Sequence, residues 1–434
     1  MRSEPQTAKQ MIDLSDLPVE RAVDRVIAHA LRLGASDLML LANEDFYALH
    51  VRHLGLIRPV SIVSADLGRR FSQHIKAAAG MDVAEHRHPH DGRWIYDNLP
   101  EEGEADAPAG DGEGQDNDGV GNQTTPERMV DLRISTVPTM HGEDMVIRLL
   151  SRRHGLFKID QIGLSGKDQQ RVESMLDSPG GLVLCCGPTG SGKTATLYAA
   201  LNHLNNGTRK INTIEDPIEF TIEGLRQSQV NPKIGLDFAQ LLKGVLRQSP
   251  DMIMIGEIRD RETATTAVHA ANAGHLVLST IHAPVAAAAI ESMRSLGVNN
   301  HFLATALRGV LSQRLVRTLD KQRRVEYDIS HAPQVFEPIK HLLGEDEGKT
   351  FYAPGAAEGE TGYSGRTGVF EVMTMSNTLR DMISHGADTH KLRGQARKEG
   401  ILDFKANALL KVARGETSIE EVFRVVPAEY LEED

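Results

Sequence analysis

Leu182-Val-Leu-Cys-Cys186-Gly187-Pro188-Thr189-Gly190-Ser191-Gly192-Lys193-Thr194 is an apolar run leading into a complete G-x-x-x-x-G-K-[ST] motif. A helix-forming run, 195–205, follows it. Strand, glycine-rich turn and helix, in that order, build a phosphate cradle. Glycines let the backbone wrap the anion, and the amides at the helix N-terminus point at it. The motif assigns Lys193 to the β- and γ-phosphates of ATP and Thr194 to a magnesium ion.

Working outward, further strands are predicted at 211–214, 252–255 and 276–279. Helices fit between them. One covers 237–248, with Phe238, Leu241, Leu242, Val245 and Leu246 on one face, and another covers 262–273, stopped by Gly274. This alternation implies an α/β unit with a mainly parallel sheet covered by helices. Such sheets bind ligands at the C-terminal ends of their strands. Acidic residues collect there: Glu215, Asp216 and Glu219 after the second strand, and Glu257 after the third. Phosphoryl transfer needs a group that orients water and groups that support magnesium, so these carboxylates are the candidates. Glu257 is expected to reach the metal through water, because Gly256 stands where many P-loop enzymes place an aspartate. His275 and His282 bracket the fourth strand, and His282 lies just past its end, toward the γ-phosphate side.

Before this unit the pattern changes. A helix is predicted over 18–33, strands over 38–41 and 46–51, and a helix over 67–79. A hairpin follows, 130–137 with 144–150. With its turn centred on Met140 and His141, Leu132 faces Leu149, Ile134 faces Ile147 and Arg133 faces Arg148. The apolar pairs share one face and the arginines the other. Facing arginines repel, and an anion docked between them removes that penalty. Residues 14–150 therefore read as a smaller α+β domain after a loose tail, 1–13. A linker over 151–158 leads to the ATPase domain over 159–434, mostly helical from about 299 apart from a loop-rich stretch at 320–362.

The 434 residues are 40% apolar and 25% charged, as in soluble globular proteins. Nine acids and no Lys or Arg lie between Glu101 and Glu127. Removing their charge from the net −12 leaves about −3, which argues against a nucleic-acid surface. Residues 99–128 bury too little to offset their ordering entropy and are predicted to be a disordered acidic loop. The two cysteines, Cys185 and Cys186, are adjacent and poorly placed for a disulfide, which fits a reduced cytoplasmic protein. No run approaches the ~20 apolar residues of a membrane span, so any membrane contact is expected to be peripheral, through a partner.

Several segments together resemble the ATPases of type II secretion and type IV pilus assembly, from about Ala35 to the C-terminus. Ile214-Glu-Asp-Pro-Ile-Glu219 resembles that family's aspartate box. Ile255-Gly-Glu-Ile-Arg-Asp260 resembles its Walker B region, and Gly274-His-Leu-Val-Leu-Ser-Thr-Ile-His282 its histidine box. Asp131-Leu-Arg133 through Pro138, with Arg148, resembles the segment that supplies arginines to the nucleotide. Asp91-Gly-Arg93, Leu311-Ser-Gln-Arg-Leu315 and Gly362-Tyr-Ser-Gly-Arg-Thr-Gly368 also resemble family segments. The resemblance implies a PAS-like domain joined to a RecA-like ATPase domain. It implies a homohexamer at the inner membrane, working on a platform of the secretion apparatus. It makes Glu219 the water-activating base, Glu257 the Walker B glutamate, and Arg133 and Arg148 the groups that neutralise phosphate charge.

The sequence departs from the family in places. The stretch 320–362 lacks the four cysteines of the zinc site many members carry, and no extra N-terminal domain is evident. His86, His88 and His90 alternate as on one strand face, without a further ligand for a metal. Two alternatives to an assembly motor stand: a pilus-retraction or DNA-transport ATPase, and a nucleotide-gated scaffold without useful turnover. The run Gln229-Val-Asn-Pro-Lys-Ile-Gly235 favours the assembly type.

Overall fold

In the computed structural model, which describes residues 11–97, 129–151, 158–328, 333–345, 347–355 and 361–430, the apolar spacing of Val23, Val26, Ile27 and Ala30 produces α1 (Val19–Arg32). The chain divides into two units, 1–154 and 155–434. The expected acidic loop and most of the expected tail and linker lie outside the described residues. Ile12, expected in the loose tail, is held on both sides. Its amide donates to the Val60 carbonyl at 2.9 Å, and its carbonyl accepts from Ser61 Oγ at 2.6 Å.

The first unit adds α2 (Ala65–Ala78), β1 (Asp37–Ala42), β2 (Phe46–His53), β3 (Leu56–Ser64), β4 (His90–Tyr96), β5 (Val130–Thr139) and β6 (Gly142–Ser151). The strands form one sheet in the order β3-β2-β1-β6-β5-β4, antiparallel throughout. Leu38, Leu40, Leu49, Val51, Leu132, Ile134, Ile147 and Leu149 bury one face against α1 and α2. The β5–β6 register is the predicted one: Leu132 opposite Leu149, Arg133 opposite Arg148, Ile134 opposite Ile147.

Two strands of this sheet were not legible in the sequence. Pro59 argues against a strand, yet β3 is at the sheet edge, where a missing amide donor is tolerated. Of the alternating histidines only His90 is in β4. His86 and His88 precede it, beside Glu143 and Glu85, so the three do not share a strand face. Among the described residues no group of three His, Cys, Asp or Glu side chains is placed to hold a metal ion.

The second unit alternates strands and helices: α3 (Gly166–Leu176), β7 (Gly181–Cys186), α4 (Lys193–Leu204), β8 (Ile211–Glu215), β9 (Arg226–Gln229), α5 (Phe238–Leu246), β10 (Met252–Ile255), α6 (Arg261–Asn272), β11 (Leu276–Ile281), α7 (Ala286–Ser295) and α8 (Asn300–Ala306). Then come β12 (Leu307–Leu319), the short pair β13 (Val325–Asp328) and β14 (Thr350–Ala353), and β15 (Tyr363–Thr374). Four helices close the chain: α9 (Asn377–Ser384), α10 (Thr389–Lys398), α11 (Phe404–Ala413) and α12 (Ile419–Val425). The main sheet has the order β15-β12-β7-β11-β10-β8-β9, parallel except for β15. Side chains alternate between two cores. Leu182, Leu184, Ile253, Ile255 and Val277 face one, and Val183, Cys185, Met252, Met254 and Leu278 face the other.

The stretch expected to be mostly helical from about 299 contains two long strands instead. In β12 the apolar residues Leu307, Val310, Leu311 and Leu315 fall at helical intervals. The segment nevertheless lies between β7 and β15 and is buried along nearly its whole length. Pairing on both edges and burial on both faces override the local period.

Candidate active site

The phosphate-binding loop is shaped by what surrounds it. After β7 the chain turns at Gly187, whose φ is +146°. A Cβ there would lie 2.5 Å from the Gln313 carbonyl oxygen and 2.6 Å from Ser191 Oγ, so only glycine fits. Gly192, at φ +89°, is the left-handed residue immediately before α4. Gln313 on β12 reaches across and donates through Nε2 to the Ser191 carbonyl at 2.8 Å. Ser191 Oγ is buried, with no hydrogen-bond partner among the described residues. Pro188, Thr189, Gly190 and Thr194 are exposed.

Lys193 is the first residue of α4 and is half-buried. Its ammonium donates to the carbonyls of Gly187 at 2.9 Å and Pro188 at 3.0 Å. Burial lowers its pKa, and the nearby Glu257 carboxylate acts the other way.

The carboxylates differ in setting. Glu215 ends β8 and is buried. Tyr198 of α4 donates its hydroxyl to Glu215 Oε2, while Thr213 Oγ1 at 2.5 Å and Gln227 Nε2 at 3.1 Å donate to Oε1. Both oxygens are thereby committed to the protein, as a buried carboxylate requires. Burial and the adjacent Glu215 push the Tyr198 phenol well above its usual pKa. The same phenol oxygen accepts from the amides of Glu219 at 3.2 Å and Phe220 at 3.5 Å. Tyr198 thus fixes the loop that carries Glu219, which is half-buried, to the helix that follows the phosphate loop. Asp216 is exposed.

Glu257 sits in the turn after β10. Gly256 donates to the Ile214 carbonyl at 2.7 Å and accepts from Thr280 Oγ1 at 2.7 Å, and Ile258 donates to Thr280 at 2.9 Å. These bonds hold the turn between the ends of β8 and β11. Glu257 Oε2 pairs with the Arg259 guanidinium at 2.7 Å. That contact raises the arginine above its usual pKa. Glu257 Oε1 lies 2.7 Å from His282 Nε2, off the line that a hydrogen bond needs. The predicted Glu257 and His282 are therefore brought together. His275 accepts no such role: its Nδ1 lies 3.0 Å from the Ala270 carbonyl at the end of α6.

In the first unit the predicted pair extends into a row. Arg93 is opposite Arg133, Arg133 opposite Arg148, Arg148 opposite Asp37, and Asp37 opposite Arg52. Asp37 stands 3.5 Å from Arg148 and 3.4 Å from Arg52, and Asp131 holds Arg93 through two hydrogen bonds of 2.9 and 2.8 Å. Four arginines thus line the sheet face away from the core, and two carboxylates offset part of their repulsion.

The sequence model of the family described as "Type II/IV secretion system protein" matches residues 13–100 and 116–424. The chain belongs to this family. Among relatives of the type II/IV secretion family, it is 40% identical over 413 residues to "Type II secretion system protein E" of Xanthomonas campestris pv. campestris, covering 95% of this chain and 68% of that protein. It is 36% identical over 416 residues to "Type IV pilus assembly ATPase PilB" of Pseudomonas aeruginosa, with the same two shares. In fold it is similar to the Legionella pneumophila ATPase DotB, with a TM-score of 0.65 at 19% identity, covering 95% of this chain and 96% of that one. It is also similar to the pilus retraction motor PilT, with a TM-score of 0.57 at 21% identity, covering 95% and 97%. The second unit thus has the RecA-like fold of secretion ATPases.

Sequence reasoning missed three groups in this site. Gln313 and Tyr198 act as supports, and Arg259 is a cation beside Glu257. Arg259 was readable, two residues from a carboxylate already singled out.

Proposed function

We propose that this chain hydrolyses ATP at the 187–194 loop and that, in a homohexamer, hydrolysis powers assembly of a type II secretion pseudopilus or a type IV pilus-like fibre. The observation that carries this reading is the phosphate loop with Lys193 held on two of its own carbonyls, beside a Glu257 turn fixed between neighbouring strands. A γ-phosphate oxygen takes the place of those carbonyls on the Lys193 ammonium. The Glu219 carboxylate accepts a proton from the attacking water as the water oxygen bonds to phosphorus and ADP leaves. Asp216 lines the same strand end, and Glu215 holds the loop from behind. Arg133 and Arg148 neutralise phosphate charge.

The donor set suits a magnesium ion that keeps most of its water. Thr194 presents an exposed hydroxyl at the start of α4, and Glu257 keeps one oxygen outside any aligned hydrogen bond. Magnesium held there by Thr194 and Glu257 would supply charge neutralisation for the phosphates. No helix among the described residues is long and apolar enough to cross a membrane. Attachment to an inner-membrane platform of the secretion apparatus therefore rests on partner proteins in this reading.

The test is steady-state magnesium-dependent ATPase activity over a range of protein concentrations, for wild type, Glu219→Gln and Arg133→Ala. Turnover that rises with assembly and falls about 100-fold or more in both variants supports the reading. Turnover independent of concentration and indifferent to Arg133 removes the first unit from the chemistry. In cells, deletion that abolishes secretion or fibres supports an assembly motor, whereas hyper-assembled fibres mean retraction.

A further inference from the structure

A cavity of about 600 Å³ lies at the opposite end of the main sheet from the phosphate loop. Its position follows from the register. It is lined by Arg308 at the start of β12, next to the first residues of β7, and by Thr374 at the end of β15. The phosphate loop leaves the other end of β7.

The charges lining it are all of one sign. Lys167, Arg171, Arg308 and Arg380 face it, and no carboxylate does. Arg171 is paired with the buried Asp168 at 3.0 Å. Arg308 and Arg380 have no carboxylate partner among the described residues. Arg308 donates through Nε to the Gly180 carbonyl at 2.7 Å. Arg380 donates through Nη1 to the carbonyls of Ala304 at 2.5 Å and Thr305 at 3.3 Å. Each guanidinium has five N–H donors, so most remain available. Burial, and then the proximity of Arg308, lower the pKa of Arg380. Two cations are therefore held together, partly desolvated, where only backbone dipoles offset them. Capping the end of α8 explains the two bonds of Arg380, and tying down the residue before β7 explains that of Arg308, but neither explains their convergence on a shared cavity.

We propose that this cavity is a second anion site, separate from the phosphate loop, that takes a small phosphorylated molecule with at least two negative charges. Planar guanidinium forks match phosphoryl oxygens in pairs. Ser174 adds a hydroxyl, and Met175 and Met375 supply an apolar wall. The volume is within the range of ordinary small-molecule sites and leaves room for more than the phosphoryl groups.

The test uses the full chain carrying Lys193→Ala, which weakens the phosphate loop, and titrates inorganic pyrophosphate by calorimetry. One saturable site is expected. Arg308→Gln and Arg380→Gln should each weaken it about tenfold or more. Lys167→Glu with Ser174→Glu, both at exposed positions, should do the same without touching the arginine–carbonyl bonds. Absence of binding in the Lys193→Ala protein, or binding unchanged in the folded charge-reversed variant, would overturn the proposal. ADP is titrated in parallel. Affinity equal to that of pyrophosphate assigns recognition to the phosphoryl groups alone, and tighter binding assigns the methionine wall to the nucleoside.

Discussion

At the C-terminal ends of its parallel strands the main sheet sets Lys193, Arg259 and His282 among Glu257, Glu219 and Asp216. At the other end it sets Arg308, Arg380 and Lys167 with no carboxylate lining the cavity. The difference separates two uses of positive charge. Chemistry on a phosphate needs a cation and a base together, so that end is mixed and its charges partly satisfy one another. Holding an anion needs only neutralisation, so a cavity of one sign suffices. A strand-end rule finds the first and says nothing of the second.

Lys193→Ala should separate the two ends most strongly. Turnover should fall about 100- to 1,000-fold, while pyrophosphate affinity at the far cavity stays within about twofold of wild type. Loss of both together would mean that the two ends are one functional site. Raising salt tests the same contrast more gently. Pyrophosphate binding at the open basic cavity should weaken steadily with ionic strength, since Lys167 is exposed and Arg308 and Arg380 are only half-buried.

A smaller effect sharpens the contrast between Glu215 and Glu257. Tyr198→Phe removes one donor from a buried carboxylate and should cost about 1–3 kcal/mol in denaturant unfolding. It also frees the Glu219 loop, so turnover should drop with little change in nucleotide affinity. If stability does not change, Glu215 does not depend on the phenol.

The smallest effect concerns a carboxylate that neither site uses, level in the sheet with Cys186 at the end of β7. Glu371 on β15 is buried, and burial pushes its pKa up to about 7, with Arg393 opposing and Asp403 adding to the rise. A raised acid pKa means that the folded chain favours the protonated form. Its contribution is complete below about 4.5, the ordinary value, and is lost as pH climbs through about 7. Stability should therefore decline by at most about 1.4 kcal/mol per pH unit across that window. Glu371→Gln should flatten this slope relative to wild type in urea titrations at matched pH.

What the sequence made legible was local. The phosphate loop needs only a motif and its flanking elements, and the hairpin register follows from two-residue alternation over a tight turn. What it concealed depends on distance along the chain. Gln313 meets Ser191 across 122 residues, and no pattern near either one announces it. Segment 307–319 carries helical spacing that only its neighbours on both edges overrule. Glu215 was placed at the right strand end, but its direction was missed. Thr213 shares its face by the two-residue period, and a second polar side chain on a buried strand face was the available sign that Glu215 turns inward.

Strand β12 joins the two ends compared above. Arg308 and Gln313 stand five residues apart on it, about 17 Å at the usual rise per residue. Between them, from Gly309 to Ser312, the strand is bonded along both edges, to β7 and β15. A ladder of that kind does not stretch, and a slip of one residue would turn every side chain over. The backbone is therefore a fixed ruler between the basic cavity and the latch on the phosphate loop. Motion at one end reaches the other as tilt of a rigid rod, with the spacing between them constant.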